Sequence, residues 1–600
     1  MTKLAPLDSS SSWPLALVYT RADAARLLFQ RPRCRAVIAM TPNARAALAM
    51  SPWPIIVSSD ILDDRAHLRI VARTRRVDRD CQQIFKSAPS IPQAAKLTML
   101  SDLHYMAASA LALWILIGRH GPWLIPSPQG KWVVFEARYA ALTALMDTLR
   151  QTAPSARAWL RLPFAGGLTR IMSRLVLRLC GIGRHVAIPG CSYGMGNLTD
   201  EIHRRHAKRT VEIRGTTGTW RDVIHPVRTL VQAAAGKIVI TAIAAPKPSH
   251  DHDSALKKKL ADVWEALPDP VIRAGLLPYR DELITEAVLT ELLANEAAEL
   301  LAMTRVSSVI LNALHWGADV ALAEAAGRHG LHRFLVSHGS HTPGESLAAA
   351  TEQRALAEGQ LVSSLADTAI IQSPYSAALA SEIMPEMRRS CSLPSMWGYK
   401  PIQTEGLNPP YRRVLHAGTY KNLVGLRPWI YETSNEFANG LVDLVHAVEG
   451  LKNTHLVIRF RPMLECDVEA LKQLLPKSAC FEIKTDGSFL DDLANTDLLV
   501  SYASTTIEEA LNIRCPVLLW GGSARYRHVP ARTTPPMQGS RSATYTANDA
   551  DHLGTMLSNI LDYHAGKPLT ESELKGHVWP KGTADIGDLA DTVARANFRS

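Results

Sequence analysis

TDLLVSYASTTIEEALNIRCPVLLWGG, residues 496–522, decides the fold. An apolar, strand-forming run ends at Tyr502, and Ser504, Thr505 and Thr506 follow where a helix has to start. IEEALNI supplies that helix, and PVLLWG (516–521) reads as a second buried strand at crossover spacing. Hydroxyl side chains at the carboxyl end of a parallel strand lie beside free backbone N–H groups and the positive end of the helix dipole, which makes a phosphate site or, on the bland reading, a plain helix cap. Glu508 and Glu509, one turn on, are placed to hold ribose hydroxyls, or simply to favour the dipole.

Outward from this unit the rhythm repeats. RRVLHAG (412–418), HLVIRFRP (455–462), CFEIK (480–484) and DLLVSY (497–502) read as strands, with helices at 434–449, 465–475, 488–495 and 505–513. The first of these strands ends in HAGTYKN, where Gly418 admits a ligand to the backbone and Lys421 can reach a phosphate. The second ends in RFRP; Arg459 and Arg461, two apart on one face, would form a phosphate fork. In open α/β sheets ligands bind outside the carboxyl ends of the strands, so Gly418, Lys421, Arg459, Arg461, Ser504, Thr505, Thr506 and Glu508 form a candidate nucleotide site.

Toward the N-terminus, four prolines and two glycines mark 392–411 as a linker. Before it, PLALVYT (14–20), AVIAMT (36–41), PIIVSS (54–59), HVAIPG (185–190), KIVITAI (237–243), SSVILNA (307–313), RFLVSHG (333–339) and DTAIIQS (367–373) read as strands. The expected fold class is α/β with two tandem Rossmann-like doubly wound domains: 1–391, with a helical insertion over about 61–180, and 412–600. RFLVSHGSHTP sets His338 after a strand, where a near-neutral imidazole is a suitable proton acceptor, with His341 as its substitute. PGCSYGMGNL (189–198) has neither the spacing nor the downstream helix of a dinucleotide fingerprint; it reads as a glycine-rich cleft loop, giving Tyr193 and Gly194 as acceptor contacts.

Composition excludes other classes. At 600 residues, 47% hydrophobic and 20% charged, the chain can bury large cores and is not mainly disordered. Eight cysteines without a CxxC pair argue against a disulfide scaffold or zinc ribbon and for a reducing, cytoplasmic setting. The longest apolar run, Tyr105–Gly118, falls short of the ~20 residues of a spanning helix and reads as a core helix. The net charge of +10 is concentrated: between Asp147 and Asp200 there are seven arginines and no acid. Arg170, Arg174 and Arg178 share one helical face, opposite Leu168, Ile171, Met172, Leu175, Val176 and Leu179, which suits either an anionic membrane surface or an ordinary amphipathic helix packed on a core with its arginines solvated. Leucine rather than aromatic interleaving argues against nucleic acid. HDHD (250–253) lacks a partner cluster for a metal, Lys257–Lys259 read as a solvated helix face, and no Walker loop, GxSxG or HExxH occurs.

VSYASTTIEEAL resembles the serine–serine/threonine motif of CMP-sialic-acid and CMP-Kdo users, and equally a stretch of CDP-glycerol polymer transferases. The chain from about 300 to 565 is thus similar to GT-B glycosyltransferases that build bacterial surface polysaccharide, such as capsule or lipopolysaccharide. HLVIRFRP stands in the place of their lysine–x–histidine–proline stretch, with Arg461 where histidine is usual. The resemblance implies a nucleotide-sugar donor, CMP-sugar favoured, in the C-terminal half, and a growing, lipid-linked or phosphate-bearing glycan as acceptor in the N-terminal half. It implies a base in the HG pair, His338, or in an N-domain carboxylate, Asp60. No cofactor or metal is required. The rivals are a nucleotide-sugar epimerase of the same fold and a nonenzymatic component of a polysaccharide locus.

Overall fold

The computed structural model describes residues 13–127, 129–152, 163–180, 184–190, 195–215, 227–228, 231, 239–245, 250–315, 317–337, 339–391, 412–418, 432–537, 539–583 and 585–596. Three sheets organise them.

The first contains β1 (Leu15–Val18), β2 (Ala36–Ala39), β3 (Ile55–Val57), β4 (Trp123–Pro126) and β5 (Trp132–Phe135) in the order β3-β2-β1-β4-β5. β4 and β5 pair antiparallel, the others parallel. LALV and AVIA are buried at every position, as strands covered on both faces must be. The run from Tyr105 belongs to the helix Gln93–Leu116, whose Met106, Leu111 and Leu113 share a core with Trp123, Leu145 and Trp264. It is the one helix among the described residues long and apolar enough to cross a membrane, and it is mostly buried inside the protein, as a core helix should be.

The second sheet contains β6 (Arg184–Pro189), β7 (Arg209–Gly215), β8 (Val239–Ala244), β9 (Arg305–Leu311), β10 (His332–Val336), β11 (Thr368–Ile371) and β12 (Arg388–Cys391), all parallel, ordered β12-β11-β10-β9-β6-β7-β8. The third contains β13 (Arg412–Ala417), β14 (Thr454–Arg459), β15 (Phe481–Lys484), β16 (Leu498–Ser501), β17 (Val517–Leu519) and β18 (Thr544–Thr546), also all parallel, ordered β15-β14-β13-β16-β17-β18. In both, the chain winds outward one way from its first strand and then the other way from its fourth. That is the Rossmann order, with a topological switch point between β6 and β9 and another between β13 and β16.

These two sheets are the expected tandem Rossmann-like pair, but their boundaries differ from the expected ones. Residues 1–391 hold two sheets, not one. The stretch 61–180 is not simply a helical insertion: PWLIPS and KWVVFE within it, which also read as a strand pair, form the antiparallel β4 and β5, and β4 returns to pair with β1, Leu15 opposite Trp123. The chain end also leaves the last sheet. Helix Ile586–Arg595 buries Leu589 and Val593 against Val186, Ile310, Phe334 and Ile370 of the second sheet, each side chain contributing about 1.5–3 kcal/mol by burial. A helix, Gly196–His206, does follow the glycine-rich loop after β6, contrary to expectation, so only the spacing separates that loop from a dinucleotide fingerprint.

The basic stretch also differs in space. On the helix Pro163–Cys180, Arg170 reaches Glu296 at 2.7 Å and Glu299 at 2.8 Å, and Arg174 pairs with the same two carboxylates. Both glutamates lie on the helix Arg280–Ala302. Arg150 pairs with Asp147 and Glu282. Acids from outside the stretch therefore neutralise much of it, and the Arg170–Arg174 face turns inward. Thr169, Ser173, Val176 and Leu177 are buried, while Leu168, Ile171, Leu175 and Leu179 are 50, 65, 43 and 58% exposed. The outward face is the apolar one, with Arg178 exposed beside it.

Candidate functional site

At the last switch point, β13 and β16 run side by side with His416 opposite Val500, which brings Ala417 and Gly418 to Ser501. The hydroxyl run then turns into the helix Thr506–Asn512. Ser504 Oγ accepts from the Thr506 N–H at 3.3 Å, and Thr506 Oγ1 lies 3.5 Å from both Ser501 Oγ and the Ala417 carbonyl. Thr505 is at the N-cap position with helical dihedrals and makes no side-chain cap bond. Its hydroxyl is thus not consumed by capping, the bland reading of three hydroxyls in a row. All three side chains are partly exposed. A β-carbon at Gly418 would stand 3.7 Å from Ser501 Oγ, an ordinary contact, so the strand end is uncrowded. Lys421 lies outside the described residues.

The arginine fork does not form. β14 ends at Arg459, so the strand alternation that would align Arg461 with it is lost. Arg459 is tied to Asp492 Oδ2 at 2.5 Å and to the Gly487 carbonyl at 2.9 Å, with Lys484 on the other oxygen of Asp492 at 2.6 Å. Burial opposes the Asp492 charge, but these cations hold its carboxyl below the usual range. Arg459 is therefore a structural ion-pair partner. Arg461, exposed and without an ion pair among the described residues, is the arginine left to meet a ligand.

From the second sheet, the loop after β10 presses onto the start of the helix Thr506–Asn512. Its base is fixed by the Ser337 N–H on the Ile370 carbonyl (2.9 Å) and by Gln372 Nε2 on the Ser337 carbonyl (2.6 Å). Gly339 has φ +84°, a left-handed conformation that suits glycine. A β-carbon there would lie 3.1 Å from Thr505 Cγ2 and 3.4 Å from Glu508 Oε1. The Ser340 N–H donates to Glu508 Oε1 at 2.5 Å, and Thr342 Oγ1 donates to the His528 carbonyl at 3.3 Å. His338 itself lies outside the described residues, as do Tyr193 and Gly194. His341, the expected substitute for His338 and a candidate acceptor-binding residue, is buried, with its backbone N–H on Ser376 Oγ at 2.8 Å, and so is not openly presented to a ligand.

Glu508 is buried and only half committed. Oε1 accepts from Ser340 and from His528 Nε2 (2.9 Å), whose Nδ1 lies 2.9 Å from Tyr526 Oη. Oε2 is buried with no hydrogen-bond partner among the described residues. Burial would raise this carboxyl, but the charge and hydrogen bond of His528, with the Ser340 N–H, bring it down to about 2. An ionised oxygen without a donor is where a ligand hydroxyl gains most.

Asp60 does not join this constellation. It is exposed after β3 of the first sheet, its Oδ2 accepting the Val57 N–H at 3.1 Å, and no described contact links it to the loops after β10, β13 or β16. Its neighbour Ser58 instead receives Asn435 Nδ2 at 2.9 Å, part of the seam between the first and third units. That seam also holds Tyr19 Oη on Glu465 (2.7 Å) and Arg525 between Glu436 (2.7 Å) and Asp64 (3.2 Å). The sequence reading missed His528, Tyr526 and Ser340; the run SARYRHV after β17 held the signal, a second strand-end loop with a histidine. Among the described residues, no group of three or more His, Cys, Asp or Glu could hold a metal ion.

The strand orders and this site define the class: an α/β protein with tandem Rossmann-like sheets, the arrangement expected of a GT-B protein. No protein-family model and no curated protein matches the chain. Among solved structures it is similar to MnaA of S. aureus in a co-structure with UDP, at 10% identity and TM-score 0.40, covering 68% of this chain and 94% of that one. It is similar to a glycosyltransferase from Rickettsia africae, at 11% identity and TM-score 0.34, covering 69% and 94%. It is also similar to the wall teichoic acid polymerase TagF soaked with CDPG, at 9% identity and TM-score 0.33, covering 77% and 98%.

Proposed function

We propose that the protein is a glycosyltransferase that moves a sugar from a nucleotide-activated donor, CMP-sugar favoured, to a growing surface glycan. One observation carries this reading. At the switch point between β13 and β16, Gly418, three partly exposed hydroxyls and a helix start come together, and the same helix carries Glu508, whose Oε2 is a buried acceptor without a partner among the described residues. Hydroxyls and backbone N–H groups suit the leaving phosphate, and Glu508 suits a ribose hydroxyl. Arg461 supplies positive charge from the end of β14, and Lys421 is the second cation that the sequence reading assigns to the donor. His338, named as the base from the sequence alone, takes the proton of the attacking hydroxyl in this reading.

Ser504→Ala/Thr505→Ala should weaken nucleotide binding by about tenfold or more, the loss of one or two hydrogen bonds to a charged group. Calorimetry with CMP, CDP, UDP and GDP reads this and names the base; unaltered affinity for every nucleotide would overturn the proposal. Sugar turnover with donor alone would identify an epimerase instead.

The acceptor is lipid-linked in this reading, and the protein works at the cytoplasmic face of a membrane. Its support is the exposed apolar row Leu168, Ile171, Leu175 and Leu179, with Arg178 at its border. Arg170 and Arg174, expected to meet the membrane, are paired with Glu296 and Glu299 and do not enter.

A further inference from the structure

A cavity of 290 Å³ opens at the carboxyl ends of β16, β17 and β18. It lies across the sheet edge from the hydroxyl run. Its walls come from the helices Ser434–Glu449 and Ala550–His564, whose Leu444 and Leu557 share one core, whereas Ile507 of the hydroxyl helix belongs to the core on the other face. Tyr502 stands between the two places and lines the cavity. The volume is close to the lower bound of about 300 Å³ for small-molecule pockets, so it admits one ring rather than an extended ligand.

Its charges are specific. Asp443, half-buried in the wall, carries no hydrogen bond or ion pair among the described residues. Burial raises its carboxyl, which the charge of His446 one turn along opposes. The other ionised groups on the wall are occupied: Arg527 with Glu345, and Asp549 as the cap of the helix Ala550–His564. Asn439 Oδ1 accepts Arg45 Nη1 at 2.6 Å, which leaves its amide N–H groups as donors. A phosphate here would meet an unpaired carboxylate and no free cation. A ring bearing hydroxyls would give Asp443 the donors it lacks and take the Asn439 amide as donor, with Trp520 and Tyr502 as apolar walls.

We propose that this cavity binds a single neutral monosaccharide ring, with Asp443 as the anchoring acceptor. The proposal rests on the glycosyltransferase reading for its meaning, since the ring would be either the donor's sugar or a unit of the acceptor glycan.

Saturation-transfer NMR on the full chain with free glucose, galactose, N-acetylglucosamine and N-acetylmannosamine at millimolar concentration tests it. At least one sugar should show ring-proton transfer, with affinity about tenfold weaker in Asp443→Ala. Ala524→Trp, a change at an exposed wall residue that leaves Asp443 intact, should block it as well. Thermal melts of both variants verify folding. Displacement of the sugar by a CMP-sugar, but not by CMP, assigns the cavity to the donor; displacement by an oligosaccharide alone assigns it to the glycan. No transfer from any of the four sugars, or transfer unchanged in both variants, overturns the cavity proposal. CMP binding in the same samples separates the two readings: nucleotide without sugar sinks only the cavity, and sugar without nucleotide sinks only the nucleotide site.

Discussion

Gly339 and Thr505, 166 positions apart, face each other so closely that a β-carbon on the glycine would stand 3.1 Å from Thr505 Cγ2. The loop after β10 and the helix start after β16 are thereby one structural element, built from two sheets. Whatever binds at the hydroxyl run is bounded by this contact.

Gly339→Ala tests it. The left-handed backbone alone costs an alanine about 1–2 kcal/mol, and the added methyl pushes on Thr505. Unfolding by denaturant should show that loss, and calorimetry should show weaker nucleotide binding than in wild type. Full affinity at reduced stability would mean that the loop closes the fold without shaping the site.

Glu508 predicts a pH dependence. Its folded pKa, about 2, lies below the 4.5 of an unperturbed glutamate. A depressed carboxyl contributes stability that is complete above the unfolded value and lost as pH falls through the folded one. Glu508→Gln should therefore be less stable than wild type at pH 7, and the gap should narrow between about pH 4.5 and 2. Denaturant titrations across that range measure it; a constant gap would show that the charge is not what His528 and Ser340 stabilise.

The two arginines of RFRP should separate by assay. Arg459→Ala leaves Asp492 with Lys484 alone and should cost about 1–3 kcal/mol of stability. Arg461→Ala should stay within about 0.5 kcal/mol of wild type yet weaken nucleotide binding. The reverse pattern would restore Arg459 to the site.

The exposed row on the helix Pro163–Cys180 predicts lipid binding. Ile171→Glu/Leu175→Glu should reduce sedimentation with anionic vesicles about tenfold or more, since each buried apolar side chain is worth about 1.5–3 kcal/mol. Folding should be unaffected because both positions are exposed. Unchanged vesicle binding would remove this face from the membrane.

What the sequence determined by itself was local. The helices Ser434–Glu449 and Arg280–Ala302 lie where the sequence pattern puts them, and Thr433 closes a capping box with Glu436 at the start of the first. β13, β14 and β16 stand out as apolar runs because parallel strands are buried on both faces. β7 (RTVEIRG), β12 (RRSC) and β18 (TYT) were not legible, being charged, polar or only three residues long. The hydroxyl run was legible as a site because a strand end and a helix start are adjacent in the chain. Tertiary structure alone decided which strands share a sheet, since β1 pairs with β4 across more than 100 residues. It decided that Arg459 is consumed by Asp492, that Glu508 meets Ser340 and His528, and that the Arg170–Arg174 face turns inward to Glu296. Helical spacing divides a helix into faces, but the charge that draws one of them inward comes from a partner distant in sequence.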